Sequence, residues 1–499
     1  MSGKRIWIAK VAVAVISVLT LCCVDLENSA VLAGQSVPYE TYIYDYYEDV
    51  KYTPAAYVPD STVSGERIGC GSFLRPQDVY VDGKGNIYIA DTGNNRIVIT
   101  DSSFRLITVL ESFQNNGQQD GLSSPNGVYM SSDGNLYIAD SGKNRVVELD
   151  SSWNLVQIIE NPESDVLEEG YVFTPLKVAV DYANRIYVIA QNQFEGIMVF
   201  NEEGEFAGFT GTINVQITPW EVFWRRLSTK EQRARQKLYI PTEFTGIEID
   251  EDGFVYATNV DSEGSQSVRR LNPSGGDVIQ KSTSLSGDLY WRASGVYSGP
   301  SRIVDVKVRE KGIYSILDSS RGRIFTYDHE GNLLYIFGGL GSQEGTFNTP
   351  VAIETVGEKI LVLDSNTNLI NLFAPTRYGS LINQAVGLRY DGDETQAVEC
   401  WGEVLKLDSN FELAYAGIGK SYLAAGQNKE AMECFKIGNN KQYYSIAYKR
   451  YRNEILKDNL NFMLTALTVI VILLIIWNKA GRKFVKDKIK ERRTGHGHV

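Results

Sequence analysis

Short apolar stretches separated by polar turns recur between about residues 40 and 375. GNIYIADTGNNRIVITD (Gly85 to Asp101) is followed 49 residues later by GNLYIADSGKNRVVELD (Gly134 to Asp150). Each copy places two apolar runs of strand length on either side of a tight polar turn. This pattern predicts an antiparallel pair of β-strands in each copy.

Aligning the copies gives six units with the same order of strands and turns. The aligned prolines Pro76, Pro125 and Pro175 lie 49 and 50 residues apart, and the later units are lengthened by insertions. Six units of three or four short strands predict a radial β architecture rather than a sandwich. We therefore expect a six-bladed β-propeller over residues 39–375.

The two ends of the repeat region predict how the ring closes. The sixth unit lacks an outer strand after about Phe373, whereas a spare strand, ETYIYDYY (Glu40 to Tyr47), precedes the first unit. Pairing this N-terminal strand with the sixth blade would remove an open sheet edge. The tyrosine-rich face of the same segment is also compatible with stacking of sugars, so both interpretations stay open.

An Asp and an Arg flank the turn in register, as Asp91 with Arg96 and Asp140 with Arg145. The Asp is expected to cap the turn, Gly-Asn to supply positive φ, and the Arg to bridge carboxylates at the same rim. The pair recurs because the blades recur, whereas a catalytic pair would occur once. We interpret it as scaffold.

The pattern becomes helical at Leu381. Residues 381–458 predict a small helical hairpin region, and residues 460–477 are an uncharged stretch long enough to form a transmembrane helix. Residues 478–499 form a basic tail that is expected to stay in the cytoplasm. At the other end, residues 1–33 have the layout of a signal peptide. These features predict a single-pass cell-membrane protein with an extracytoplasmic body.

The repeats resemble known families. P-x-x-V-x-V-D-x-x-G-N-I-Y-I-A-D-T-G-N-N-R-I-V is similar to the NHL repeat, and FGGLGSQEGTFNTPVAI (Phe337 to Ile353) is similar to its linker between blades. This likeness covers about residues 40–375 and implies a mainly β fold, an NHL-type six-bladed propeller.

The helical region resembles tetratricopeptide repeats. Its clearer copy is GIGKSYLAAGQNKEAMECF, with Gly419, Tyr422, Gly426, Ala431 and Phe435 at the matching positions. A looser upstream copy has Gly387, Tyr390, Ala397 and Trp401. Two copies are fewer than a free-standing solenoid needs, so we expect this region to lean on the propeller or on a partner. A spacer and a peptide-binding groove are both compatible with it.

Charge and cysteine usage narrow the function further. The net charge is -12, although residues 478–499 carry eight Lys or Arg against two Asp or Glu. The rest of the chain is therefore strongly acidic and is expected not to bind nucleic acid. Cys70, Cys400 and Cys434 lie outside the predicted signal, without the spacing of a metal site. Cys400 and Cys434 are compatible with a disulfide or with free thiols.

Histidine is scarce, and His329 is the only one in the predicted extracytoplasmic body. Propellers of the NHL-type amidating lyases and the streptogramin lyases depend on His, so the resemblance does not extend to their chemistry. No cofactor is implied, but calcium or another divalent metal held by carboxylate and amide oxygens, as in gluconolactonase-type propellers, is compatible with the chain.

The mouth of the central channel is the default binding site of such a fold. Six polar residues of the loops and strand starts are candidate ligand contacts there: Gln77, Asp78, Asn126, Lys177, Glu243 and Arg302. The alternative is that each of them caps a turn or a strand end.

An insertion in the fourth unit, within residues 218–237, predicts a short helix with one apolar aromatic face and one basic face. Its candidate partner-binding residues are Trp220, Phe223, Trp224, Arg225 and Arg226. The face could dock on a protein or lipid surface. Equally, both Trp side chains could fold onto the propeller.

Together these features favour a membrane-anchored extracytoplasmic recognition or scaffold protein that is not an enzyme. Its propeller and helical repeats would bind a protein, a small molecule or a glycan, for example as an accessory to a transporter or envelope complex. The alternative is a metal-dependent propeller enzyme of the lactonase or lyase type.

Overall fold

The computed structural model describes residues 37–494 except for 165, 168–169, 213–241, 262–263, 282, 284 and 292–297. The predicted signal peptide (1–33) and the predicted helix of the fourth unit, with Trp220, Phe223, Trp224, Arg225 and Arg226, therefore lie outside the described residues. The chain forms two compact units, Met1–Asn410 and Phe411–Val499.

The first unit is built mainly of short strands. In chain order they are β1 (Tyr42–Tyr44), β2 (Val50–Tyr52), β3 (Tyr57–Val63), β4 (Asp78–Val81), β5 (Ile87–Asp91), β6 (Arg96–Thr100), β7 (Leu106–Leu110), β8 (Ser112–Asn115), β9 (Gln118–Gly121), β10 (Pro125–Met130), β11 (Leu136–Asp140), β12 (Arg145–Leu149), β13 (Leu155–Ile159), β14 (Pro175–Val180), β15 (Ile186–Ala190), β16 (Ile197–Phe200), β17 (Phe206–Thr210), β18 (Phe244–Ile249), β19 (Val255–Asn259), β20 (Val268–Leu271), β21 (Ile303–Val308), β22 (Tyr314–Asp318), β23 (Arg323–Tyr327), β24 (Leu333–Phe337), β25 (Pro350–Val356), β26 (Lys359–Asp364) and β27 (Leu369–Pro375).

These strands form the six blades of a propeller, as the repeats predict. Blades 1, 2, 3 and 5 are four-stranded antiparallel sheets, β4–β7, β10–β13, β14–β17 and β21–β24, and blade 4 has β18–β20 in the described residues. The first strand of each blade contacts the first strand of the next, and β25 contacts β4, so the ring is closed. We call the end at which these first strands begin the upper rim.

The second strands explain why the repeats are so apolar. All five residues of β5, β11 and β22 are buried, because each of these strands is covered on both faces by neighbouring blades. Ile87, Ile89 and Val98 of blade 1, for example, pack with Leu361 and Leu363 of blade 6. The core is thus divided among the clefts between blades.

Ring closure occurs in the predicted way but with a different strand. Blade 6 is β25, β26 and β27 completed by β3, whose Val63 pairs with Ile370 and whose Tyr57 pairs with Pro375. The prediction that Glu40 to Tyr47 fills this place was wrong. That segment instead contributes β1, which forms a separate hairpin with β2.

Tyr42 and Tyr44 hold this N-terminal hairpin against blade 5. Both hydroxyls donate to the buried carboxylate of Asp288, which also accepts from Arg323 Nη1 at 2.7 Å. Burial, reinforced by the Asp288 charge, raises the pKa of Tyr44 to about 12. A tyrosine that donates to a carboxylate stays protonated, so these residues serve as hydrogen-bond donors.

The repeated Asp and Arg are structural, with one change to the predicted detail. Asp91 accepts from the backbone N–H of Leu74 at 2.8 Å and from Arg96 Nε at 2.7 Å, and its side chain does not cap the following turn. Asp91 therefore links the segment before β4 to the end of β5. Asn95 supplies the positive φ (55°), whereas Gly93 is required because a Cβ there would lie 2.4 Å from the Leu74 carbonyl oxygen.

Helices follow the propeller and begin slightly before the predicted boundary. They are α2 (Arg377–Tyr390), α3 (Glu394–Leu407), α4 (Glu412–Ala424), α5 (Asn428–Ile437), α6 (Lys441–Asp458) and α7 (Leu460–Thr494), after a short α1 (Gly65–Ile68).

The hairpin α2–α3 leans on the propeller, in agreement with the prediction. Asn383 of α2 accepts from the Tyr335 hydroxyl at 2.8 Å, and Arg389 pairs with Glu330 at 3.1 Å. Under this contact Arg309 donates to the hydroxyls of Tyr57 and Tyr335. The helix is therefore fastened to blades 5 and 6.

In the second unit α4 and α5 form a close pair. A Cβ on Gly419 would lie 2.8 Å from the Phe435 ring, and Ala431 and Phe435 are fully buried. Small residues thus allow the predicted close approach of two helices, while the identification as tetratricopeptide-like repeats stays a prediction. Cys70, Cys400 and Cys434 are free thiols.

Within α7, Leu460–Lys490 is long and apolar enough to cross a membrane. The most apolar 18 residues of this segment have a mean hydropathy of 2.6, and none of them is buried in the protein. Among the described residues it is the one helix with these properties. It contains the predicted span 460–477.

Candidate functional site: the charged core of the channel

Side chains of the six first strands meet in the central channel in two layers. The layer nearer the upper rim holds Asp78, Lys177 and Asp305, from blades 1, 3 and 5, and these groups contact one another across the ring. Two residues further along the strands, Glu248, Lys307 and Glu354 come from blades 4, 5 and 6. We call these six residues the channel core.

The upper layer alternates charged and small residues around the ring. Gly127, Gly246 and Ala352 occupy the aligned positions of blades 2, 4 and 6. A Cβ on Gly127 would lie 2.6 Å from the Leu176 carbonyl oxygen, and one on Gly246 would lie 2.7 Å from Asp305 Oδ1. Glycine is needed at these positions because the next first strand approaches so closely.

Gly127→Ala is therefore expected to destabilise the propeller by about 1–3 kcal/mol through overpacking. Gly83→Ala is the matched control, since a Cβ there would meet no atom within 4 Å and the residue does not have positive φ. Chemical denaturation of both variants measures the difference. Equal stability of the two variants would contradict the close approach of blades 2 and 3.

Lys177 is the centre of the upper layer. Its Nζ contacts Asp78 Oδ1 and lies 3.9 Å from Asp305 Oδ2. Each Asp also accepts a backbone N–H from the next blade, Asp78 from Val128 at 3.0 Å and Asp305 from Ile353 at 2.9 Å. The layer therefore joins blade 1 to blade 2 and blade 5 to blade 6.

Lys307 is the central cation of the lower layer, as Lys177 is of the upper layer. Its Nζ lies 2.7 Å from Glu248 Oε1 and 2.9 Å from Glu354 Oε1. Tyr80 and Tyr129 fill the other side of the channel with ring centroids 4.7 Å apart, and their hydroxyls donate to backbone carbonyl groups. Polar side chains thus pack the channel where an open pore would otherwise lie.

The channel core has four carboxyl groups but only two lysines. Burial raises the pKa of Asp305 to about 7 and that of Glu354 to about 8, although the lysines oppose the shift. Burial opposes charge on the lysines, yet the nearby carboxylates hold the pKa of Lys177 and of Lys307 above the usual value. Both lysines stay charged and are poor nucleophiles, whereas Asp305 and Glu354 can exchange protons near neutral pH.

The structure brings only two of the six predicted ligand residues into contact, namely Asp78 and Lys177. Gln77 donates to Ser365 Oγ at 3.0 Å, and Glu243 accepts from the backbone N–H of Asn192 at 2.8 Å. The side chain of Arg302 is exposed at the rim. Asn126 is half-buried at the start of β10. Gln77 and Glu243 therefore make contacts within the fold, as the alternative interpretation, capping of turns and strand ends, expects. Ligand binding by any of the six residues stays a prediction.

Four members of the channel core were missed in the sequence, namely Glu248, Asp305, Lys307 and Glu354. A signal was present, because charged residues stand two or four positions after the first residue of these strands (Phe244, Ile303 or Pro350), where strands of a buried ring are otherwise apolar. The sequence does not show which of these charged residues contact one another, because they meet only when the ring is closed. In the described residues no group of three or more His, Cys, Asp or Glu is arranged to hold a metal ion.

A separate surface groove of about 610 Å³ lies between blades 6 and 1, away from the channel core. Arg67, Phe104, Glu358 and Lys359 are among the residues that line it. Lys359 pairs with Asp60 at 2.9 Å, and both side chains are partly exposed. The groove lacks the buried ion pairs that distinguish the channel core.

Comparison with known families identifies two of the repeats. Residues 73–99 and 122–149 match the NHL repeat. These segments span the first three strands of blades 1 and 2, apart from Thr100 at the end of β6. Comparison with curated proteins gives no match.

Three solved structures show a weak likeness to this chain. Virginiamycin B lyase from Staphylococcus aureus is 12% identical with a TM-score of 0.40, covering 63% of this chain and 99% of its own. A streptogramin B lyase is 12% identical with a TM-score of 0.37, covering 67% and 86%. A structural genomics protein of unknown function from Bacteroides thetaiotaomicron is 16% identical with a TM-score of 0.41, covering 60% and 70%. These values do not indicate a shared activity.

Proposed function

We propose that this protein is a membrane-anchored extracytoplasmic recognition protein, in which the NHL-repeat propeller binds a protein or small ligand at its upper rim. The observation that carries the proposal is Leu460–Lys490, an apolar helix without any residue buried in the protein. A helix so apolar and so exposed is stabilised by a lipid environment.

Charge supports one orientation of this anchor. Residues 478–499 carry eight Lys or Arg and two Asp or Glu, whereas residues 441–459, on the other side of the apolar stretch, carry five and two. The more basic flank is retained on the cytoplasmic side of a membrane. The propeller would therefore lie on the outer side.

The contacts of the channel core favour ligand binding at the upper rim over a chemical reaction inside the channel. Its lysines are each paired with carboxylates, and two acids bind blades together through backbone N–H groups. Because the charged side chains of the channel core bind one another, a ligand would instead contact the exposed loops of the rim, such as the loop that contains Arg302.

The anchor is tested by alkaline carbonate extraction of cell membranes. We expect the full-length chain to stay with the membrane and a chain ending at Asn459 to be released. In right-side-out vesicles, added protease should digest the propeller and spare an epitope placed at Val499. Release of the full-length chain would contradict the anchor, and digestion of the epitope would contradict the orientation.

Recognition is tested by crosslinking the full-length protein in its native membrane. A partner or ligand of the rim should be lost on Arg302→Glu. Arg377→Glu is the matched control, since Arg377 is exposed on α2 and pairs with Glu403. Equal crosslinking of both variants would place the binding surface elsewhere.

A further inference from the structure

The helix α6 lies directly before the apolar helix α7, with only Asn459 between them. The Asn459 N–H donates to the Ile455 carbonyl at 3.0 Å, and the Met463 N–H donates to the Asn459 carbonyl at 2.9 Å. Backbone hydrogen bonds thus continue across the junction, so the position of α6 follows from that of the apolar helix.

One face of α6 is used for packing within the second unit. Ala447 is fully buried in a cluster with Leu423 and Phe435, and Tyr443 and Tyr444 pack against this cluster. On the same side Arg450 donates to the Leu423 carbonyl at 3.3 Å, and Glu454 accepts from Asn428 at 3.2 Å. These contacts fix which side of α6 faces solvent.

The solvent face of α6 has a distinct composition. Lys449, Arg452 and Lys457 are exposed, together with Tyr448 and Leu456. The two carboxylates of this helix, Glu454 and Asp458, are exposed as well, but at 100° per residue they lie within about 20° of Ala447 around the helix. The side opposite Ala447 therefore combines Lys449 and Arg452 with Tyr448 and Leu456, has Lys457 at its edge and carries no carboxylate, in a chain of net charge -12.

The short distance of these cations from the apolar helix favours a lipid surface over other anionic partners. With a rise of 1.5 Å per residue, Lys457 lies about 4–5 Å and Arg452 about 12 Å before Leu460. The headgroup layer is about 5–8 Å thick, and charges act across about 8 Å beyond it at physiological salt. Both cations fall within reach of lipid phosphates, and tyrosine is favoured at the same depth.

We propose that the exposed face of α6 binds anionic lipid headgroups of the leaflet next to the propeller. The proposal rests on the membrane anchor proposed above. It adds a second membrane contact, on the opposite side of the bilayer from the basic tail, which would restrict the angle at which the second unit stands on the membrane.

The test is hydrogen–deuterium exchange of residues 441–458 in the full-length protein, reconstituted in nanodiscs. One set contains phosphatidylcholine alone and the other contains about 30% phosphatidylglycerol. Each cation at a lipid surface contributes about fivefold to binding. We therefore expect exchange in α6 to slow by at least about threefold on the anionic discs, and the slowing to disappear at high salt.

Two charge-matched variants locate the effect. Arg452→Gln with Lys457→Gln should abolish the slowing, whereas Lys429→Gln with Lys436→Gln, at exposed positions of α5, should preserve it. Equal exchange of the wild-type protein on both kinds of disc would overturn the proposal, as would equal effects of the two double variants. Failure to insert into either disc would instead contradict the anchor, so the two proposals fail separately.

Discussion

Replacing Lys307 with methionine is expected to lower the free energy of unfolding by about 3–5 kcal/mol at neutral pH, the usual cost of removing one partner of a buried ion pair. Lys307 is the cation that contacts both Glu248 and Glu354 in the lower layer of the channel core. Without it two carboxyl groups remain buried side by side. Chemical denaturation of the full-length protein in detergent measures the loss.

Two further variants show whether this loss comes from charge. Lys359→Met removes an exposed partner of Asp60 and should cost less than about 1 kcal/mol. Adding Glu248→Gln and Glu354→Gln to Lys307→Met removes the uncompensated carboxylates and should restore most of the stability. If Lys307→Met alone unfolds like the wild type, the channel core does not hold the blades together.

Stability should fall as pH rises from about 5.5 to 8.5. Folding raises the pKa of Asp305 from 3.8 to about 7 and that of Glu354 from 4.5 to about 8, so in this range the folded state binds more protons than the unfolded state. Each excess proton contributes a slope of up to about 1.4 kcal/mol per pH unit. The contribution of these two acids is complete below about pH 4 and is lost as pH rises through the raised values.

Denaturation midpoints across this pH range measure the effect. Asp305→Asn with Glu354→Gln should flatten the dependence, because the amides do not titrate. His329→Gln, a substitution outside the channel core, serves as the control that should leave the slope in place. A stability that rises with pH, or a slope carried by His329 alone, would contradict the protonated channel core.

Much of the propeller could be predicted because each blade carries the same local signals. Strand pairs such as β5–β6 and β11–β12 follow directly from two apolar runs of strand length on either side of a polar turn. The closing strand could not be predicted in this way. ETYIYDYY looks more like a strand than YVPDSTV, yet Tyr57–Val63 pairs with β27, while Tyr42 and Tyr44 find their carboxylate partner, Asp288, beside blade 5.

The channel core was predicted only in part for a similar reason. Asp78 and Lys177 were recognised as polar residues near the mouth, but they are 99 residues apart and their contact exists only across a closed ring. Lys307 likewise meets Glu248 and Glu354 from the two neighbouring blades. Local periodicity shows that these positions are unusual without showing which of them meet.

The six repeats, the helical end and the apolar span could be predicted from the sequence alone, because each depends on neighbours within a few residues. The tertiary structure decided which strand closes the ring, where the helical hairpin leans, and how four acids and two lysines share the channel. These contacts join residues far apart in the chain, and their energies depend on burial and charge pairing that arise only when the blades surround a common axis.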